Sequence, residues 1–178
     1  MLKVVGAAVA VAAALALGGC SLVGSSANPQ PTSTVPAVLG ALVPTYPAKL
    51  TPATAKKETV SAADAIQGLI ASTDVVHVDN HEELVAATKS TGSYYGVERA
   101  ISTSAGFDVI TQAQAMEKLL VQAGWIERDT STSTAGYTVA LSTYTNAGAA
   151  ALQLEADETP GSAPVIAIVL ESPDLPKS

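Results

Sequence analysis

The chain has 178 residues, with 16 acidic against 9 basic side chains, a formal charge of −7, 48% hydrophobic residues, only 4% aromatic ones and a single cysteine. An acidic chain repels phosphate backbones and anionic headgroups, so neither nucleic acid nor electrostatic adhesion to a membrane is expected of it. So few aromatic rings give poor support for stacking platforms, and a lone cysteine permits no disulfide partner within the chain.

The first twenty residues change character abruptly. Lys3 precedes an uncharged apolar run over 4–17, built mainly of Ala and Val, with leucines only at Leu15 and Leu17. Its length suits the apolar core of a signal peptide and falls short of the ~20 residues that a membrane-spanning helix needs. Gly18 and Gly19 follow, small residues that leave an extended backbone open to a peptidase, and then comes Cys20.

Leu17-Gly18-Gly19-Cys20 resembles the lipobox of bacterial lipoproteins. Leu17 stands at position −3, Gly19 at −1 and Cys20 at the acceptor position, while Gly18 departs from the commoner Ala, Ser or Thr. The resemblance implies a lipid on the Cys20 thiol, cleavage between Gly19 and Cys20, and a mature protein anchored at the extracytoplasmic face of the cell membrane. Two acyl chains on one residue hold a protein stably where one is marginal. Residues 1–19 are thus expected to be a removed signal peptide, 20–57 a lipidated Cys with a flexible tether, and 58–178 a globular domain. Cleavage would leave 159 residues with 8 basic and 16 acidic side chains, a charge of −8. That length suits one domain with a real core.

From Ser21 to Ala55 the chain is rich in Ser, Thr, Ala and Pro, holds six of the ten prolines, and carries no charge before Lys49. Proline removes hydrogen-bond donors and favours extended conformers, so a coil reaching on the order of 30 Å is expected. Residues 35–43 are apolar enough to dock on the domain instead.

Beyond Lys56, Ser61 with Asp64 resembles a capping box, and Ala62, Ala65, Ile66, Leu69 and Ile70 recur at helical spacing, predicting a helix over 61–72. Val-rich alternation predicts a strand over 74–79. Asn80 with Glu83 three residues on then reads as the start of a short helix ending before Gly92. Tyr95, Val97, Arg99 and Ile101 suggest a strand within 94–103, which would bury one ring of Tyr94 and Tyr95 and expose the other. Val109, Ala113, Met116, Leu120 and Ala123 step by 4, 3, 4 and 3, one face of a helix that Asp108 or Thr111 can start and Gly124 can end. Trp125 opens a strand and is expected to plug the core where helix meets sheet. Tyr137 to Leu141 and Leu152 to Leu154 alternate, and 165–170 is continuously apolar, as for a central strand covered on both faces or one with a partner over its second face. Turns at Asn146 to Gly148 and Thr159 to Gly161 predict antiparallel links.

These elements give an α+β fold: a single small domain whose antiparallel sheet of about four to six strands is backed by two or three helices on one face. The closing helix, Gly-Trp and strand layout resembles small lipoproteins of high-GC Gram-positive bacteria, a likeness that implies no catalytic activity.

The concentrated polar cluster is 77–83, which holds both histidines. A metal shell of His77, Asp79 and His81, completed by Glu82 or Glu83 from the expected helix start, is the chemistry it could carry. The plainer reading is a capped helix start whose acids complement the helix dipole. His81-Glu82 is no zincin motif, because Val85 stands where the second histidine belongs. No Ser lies in Gly-x-Ser-x-Gly, and no phosphate loop or dinucleotide fingerprint is present. The expectation is a non-enzymatic binding or accessory module without a cofactor, facing an envelope protein or cell-wall component. The rivals are a metal- or solute-binding protein using the cluster and a hydrolase with dispersed carboxylates, which leave no local signature.

Overall fold

The computed structural model describes residues 37–88 and 92–176. They form, in order, α1 (Ala37–Gly40), α2 (Pro52–Gln67), β1 (Val75–Val85), β2 (Tyr94–Thr103), α3 (Val109–Ala123), β3 (Ile126–Thr132), β4 (Gly136–Thr145), β5 (Gly148–Asp157) and β6 (Val165–Glu171). The six strands make one sheet in the order β1-β2-β6-β5-β4-β3. Every neighbouring pair is antiparallel. This is a small α+β domain of one antiparallel sheet and three helices.

Register explains the alternation. Val97 opposes Leu170 and Ile101 opposes Ile166 across β2 and β6. Leu170 in turn opposes Leu152, and Ile168 opposes Leu154. Leu152 and Leu154 then meet Leu141 and Val139. Directly opposed residues share a face, so these rows form one continuous apolar layer. All are buried, in the same core cluster as Ala62 and Ile66 of α2 and Ala113, Met116 and Leu120 of α3. On the opposite face of β6, Val165, Ala167 and Val169 are only half-buried.

Helix α3 follows its sequence pattern. The Asp108 side chain accepts from the Thr111 N–H at 2.8 Å, and the Glu158 carboxylate accepts from the Val109 N–H at 3.0 Å, so two orphan donors of the first turn are satisfied. Gly124 ends it in the left-handed region at φ +116°. Trp125 comes next, 2% exposed.

Two expectations are corrected. The helix placed over 61–72 starts nine residues earlier, at Pro52, and ends at Gln67. Thr51 accepts from the Thr54 N–H and its own N–H donates to the Thr54 hydroxyl, while Pro52 supplies a preset φ at the first helical position. The helix expected after Asn80 is absent, because β1 runs on to Val85, paired residue by residue with β2. Cross-strand pairing outweighs a local capping signal. Part of the proline-rich segment also packs into the core: Leu42, Tyr46, Leu50 and Ala55 are buried. The proline-rich segment is held by two specific bonds. The Trp125 indole N–H donates to the Leu42 carbonyl at 2.9 Å, and Tyr46 meets the Thr59 hydroxyl at 2.8 Å. Thr59 directs its one proton to the Ala55 carbonyl at 2.7 Å, so Tyr46 is the donor there. Burial pushes the Tyr46 hydroxyl up to about 12.

Candidate functional site

The His-rich cluster lies on β1, at the edge of the sheet. His77, Asp79, His81 and Glu83 alternate along it and share one face, since successive side chains of a strand point to opposite sides. They pair along the strand. His77 Nε2 lies 3.0 Å from Asp79 Oδ1, and His81 Nε2 lies 3.6 Å from Glu83 Oε2. These side chains are 64%, 76%, 66% and 57% exposed in that order.

The metal shell is not assembled. It required the chain to turn into a helix after Asn80 and bring His81 back over His77. In an extended strand, residues four apart are separated by about 13 Å, several times any metal–ligand bond. Among the described residues no group of three or more His, Cys, Asp or Glu side chains could hold a metal ion.

On the other face of β1, Glu82 reaches β2 and α2. Glu82 Oε1 accepts from Arg99 Nη2 at 3.1 Å, and Asp64 Oδ1 on α2 accepts from the same nitrogen at 3.2 Å. Glu82 Oε2 receives the Tyr95 hydroxyl at 3.3 Å and lies 3.6 Å from Lys56 Nζ. Lys56 sits 5.8 Å from the centre of the Tyr95 ring. Arg99 is only 3% exposed. It occupies the inward register of β2, between Val97 and Ile101, where a cation needs anionic acceptors. Burial acts to raise the Glu82 pKa, but the Arg99 bond and charge, the Tyr95 hydroxyl and Lys56 outweigh it and hold the group below its ordinary value. This network clamps α2 to the edge of the sheet. Nothing about Arg99 as a lone letter marked it. Its parity with Tyr95, Val97 and Ile101 was the available signal.

A cleft of about 540 Å³ opens beside the clamp, lined by Leu50, Pro52, Leu84, Ala87, Ser93 and Leu175 among others. The Leu175 N–H donates to the Ser93 carbonyl at 2.7 Å, which fixes one wall. Its volume suits a small ligand or an inserted side chain, and its aliphatic lining provides no charge for acid–base chemistry. Alternation buries Tyr95 as expected, whereas Tyr94, the ring expected to be exposed, is half-buried.

Cys20 and the Gly19–Cys20 bond lie outside the described residues. Among the described residues, no helix is long and apolar enough to cross a membrane. No protein-family model matches the chain, and neither the curated proteins nor the solved structures provide a match.

Proposed function

We propose that the chain is a lipid-anchored protein of the cell envelope, attached through Cys20 and displayed on the extracytoplasmic face of the membrane. The observation that carries this reading is Leu17-Gly18-Gly19-Cys20 behind the apolar run 4–17, with the only cysteine of the chain at the acceptor position. The net negative charge supports attachment by lipid rather than by electrostatics. Residues from Ser21 up to the docked segment serve as a short tether, less than the full stretch to 57, because Leu42, Tyr46 and Leu50 already belong to the core.

The domain acts as a non-enzymatic binding or accessory module for an envelope protein or cell-wall component. The aliphatic cleft beside Leu84 and Leu175 supports a binding role, since its lining favours apolar contact over chemistry. We read the helices as backing one face of the sheet, which leaves the opposite face of β4, β5 and β6 turned outward.

Detergent phase partitioning of cells expressing the full chain tests the anchor. The wild type enters the detergent phase, and Cys20→Ala either moves to the aqueous phase or accumulates uncleaved. A wild type recovered in the aqueous phase overturns the reading.

A further inference from the structure

β1 is the longer of the two edge strands, eleven residues against seven for β3. β3 carries a register break in its middle, between Glu127 and Asp129. β1 has its break at the start, between Val75 and His77, and is regular from there to Val85. A long regular edge leaves a row of backbone donors and acceptors available to another strand. Proteins ordinarily guard such an edge with charged side chains, prolines or bulges, placed so that a second copy meets repulsion. The charges of β1 are arranged differently.

Their order is His77, Asp79, His81, Glu83 on one face, evenly spaced about Asn80. Laid antiparallel against itself about a twofold through Asn80, the strand places His77 opposite Glu83 of the second copy and Asp79 opposite His81 of the second copy. All four positions of the face then meet the opposite kind of group. Sliding by two residues destroys this. One direction sets Asp79 against itself and His77 against His81; the other sets His81 against itself and Asp79 against Glu83. The matched register also sets Leu84 opposite Val76 of the second copy. These are two of the six large hydrophobic side chains left exposed among the described residues, at 51% and 69%.

We infer that β1 is a self-association edge, through which two copies of this chain pair antiparallel about Asn80 into one continuous sheet of twelve strands. The occupant is a second copy because the complementarity is internal to the strand: each histidine ring N–H meets a carboxylate that can accept from it, whereas carboxylate directly opposite carboxylate opposes association. The twofold interface is self-complementary, as closed dimers require. His77 and His81 each keep the carboxylate neighbour on their own strand and gain one from the second copy. Behind them on β2, Ser102 opposes His77, and Glu98 opposes His81 as a further acid on that face.

Disulfide trapping tests both the partner and the register. Full-length chain with Cys20→Ser has no native thiol. In that background Asn80→Cys places two thiols across the twofold, within reach of a disulfide. Mild oxidation gives a covalent dimer of Asn80→Cys. His77→Cys and Glu83→Cys do not cross-link alone, their thiols being six positions out of register, but cross-link when mixed. Sedimentation over a concentration series reads the charge order: His81→Asp sets carboxylate against carboxylate at two contacts per dimer and weakens self-association roughly tenfold. Adding Asp79→Lys to His81→Asp restores it. Absence of the Asn80→Cys dimer, equal cross-linking of all three single variants, or no recovery in the double variant overturns the inference.

Discussion

The Trp125 indole N–H reaches the Leu42 carbonyl at 2.9 Å across 83 positions of sequence, and this bond joins the proline-rich segment to the end of α3. The ring is buried, so the bond and the packing act together. Trp125→Phe keeps most of the apolar volume and removes the donor, leaving the Leu42 carbonyl without it. A loss of about 1–3 kcal/mol in urea denaturation is expected. Trp125→Ala adds a cavity and costs about 3–5 kcal/mol. Trp125→Phe should also speed proteolytic cleavage within 42–50, because that segment loses its cross-chain tie.

Arg99 sets a second prediction. It is buried, whereas the side chains of its partners, Glu82 and Asp64, are 27% and 62% exposed. A double-mutant cycle with Arg99→Met and Glu82→Gln should give a coupling of about 1–3 kcal/mol, a charge-assisted bond in a protected site. The cycle with Asp64→Asn should give about 1 kcal/mol or less, since water screens that carboxylate.

The same clamp gives the domain a pH dependence. Glu82 is held below its ordinary 4.5 in the folded chain, so its contribution is complete above that value and is lost as pH falls through the lower folded value. The Asp108 cap, which takes bonds from Thr111, and Asp157, which takes bonds from Thr159 in the turn after β5, are lowered by those hydrogen bonds and act in the same direction. Urea midpoints measured from neutral pH down through the carboxylate range should therefore decline as the pH drops below about 4.5. Glu82→Gln should flatten part of that decline, leaving the share due to Asp108 and Asp157.

Gly124 supports a narrower prediction. Its φ of +116° is costly for any residue with a Cβ, yet a Cβ built there meets nothing within 4 Å. Gly124→Ala should cost about 1–2 kcal/mol of stability through backbone strain alone. Because no clash contributes, Gly124→Asn should cost less.

The legible parts of this fold were those in which local pattern and tertiary environment agree. Helix α3 announced itself through Val109, Ala113, Met116 and Leu120, all of which are buried. Strands β4 and β5 alternate because one face of each is core and the other faces away. Edge strand β1 misled for the opposite reason. Both of its sides carry polar groups, so Asn80 and Glu83 imitated a helix start, and only pairing with β2 decided the matter. The beginning of α2 was masked by the prolines around it, Pro44, Pro47 and Pro52, although Thr51-Pro52 is itself a helix-opening signal. In the 77–83 cluster His77 and Asp79 do share a face, but an extended chain carries His81 away from His77 instead of back to it. The clamp at Arg99 depends on Asp64, 35 residues distant, and no local pattern encodes such a meeting.

Intact-mass spectrometry of the protein extracted from membranes tests the anchor most directly. A chain beginning at Cys20 is expected, with a mass exceeding that of residues 20–178 by a diacylglyceryl group, with or without a further acyl chain. Cys20→Ala should abolish this species. A cleaved, soluble chain with an unmodified Cys20 would contradict the lipid anchor.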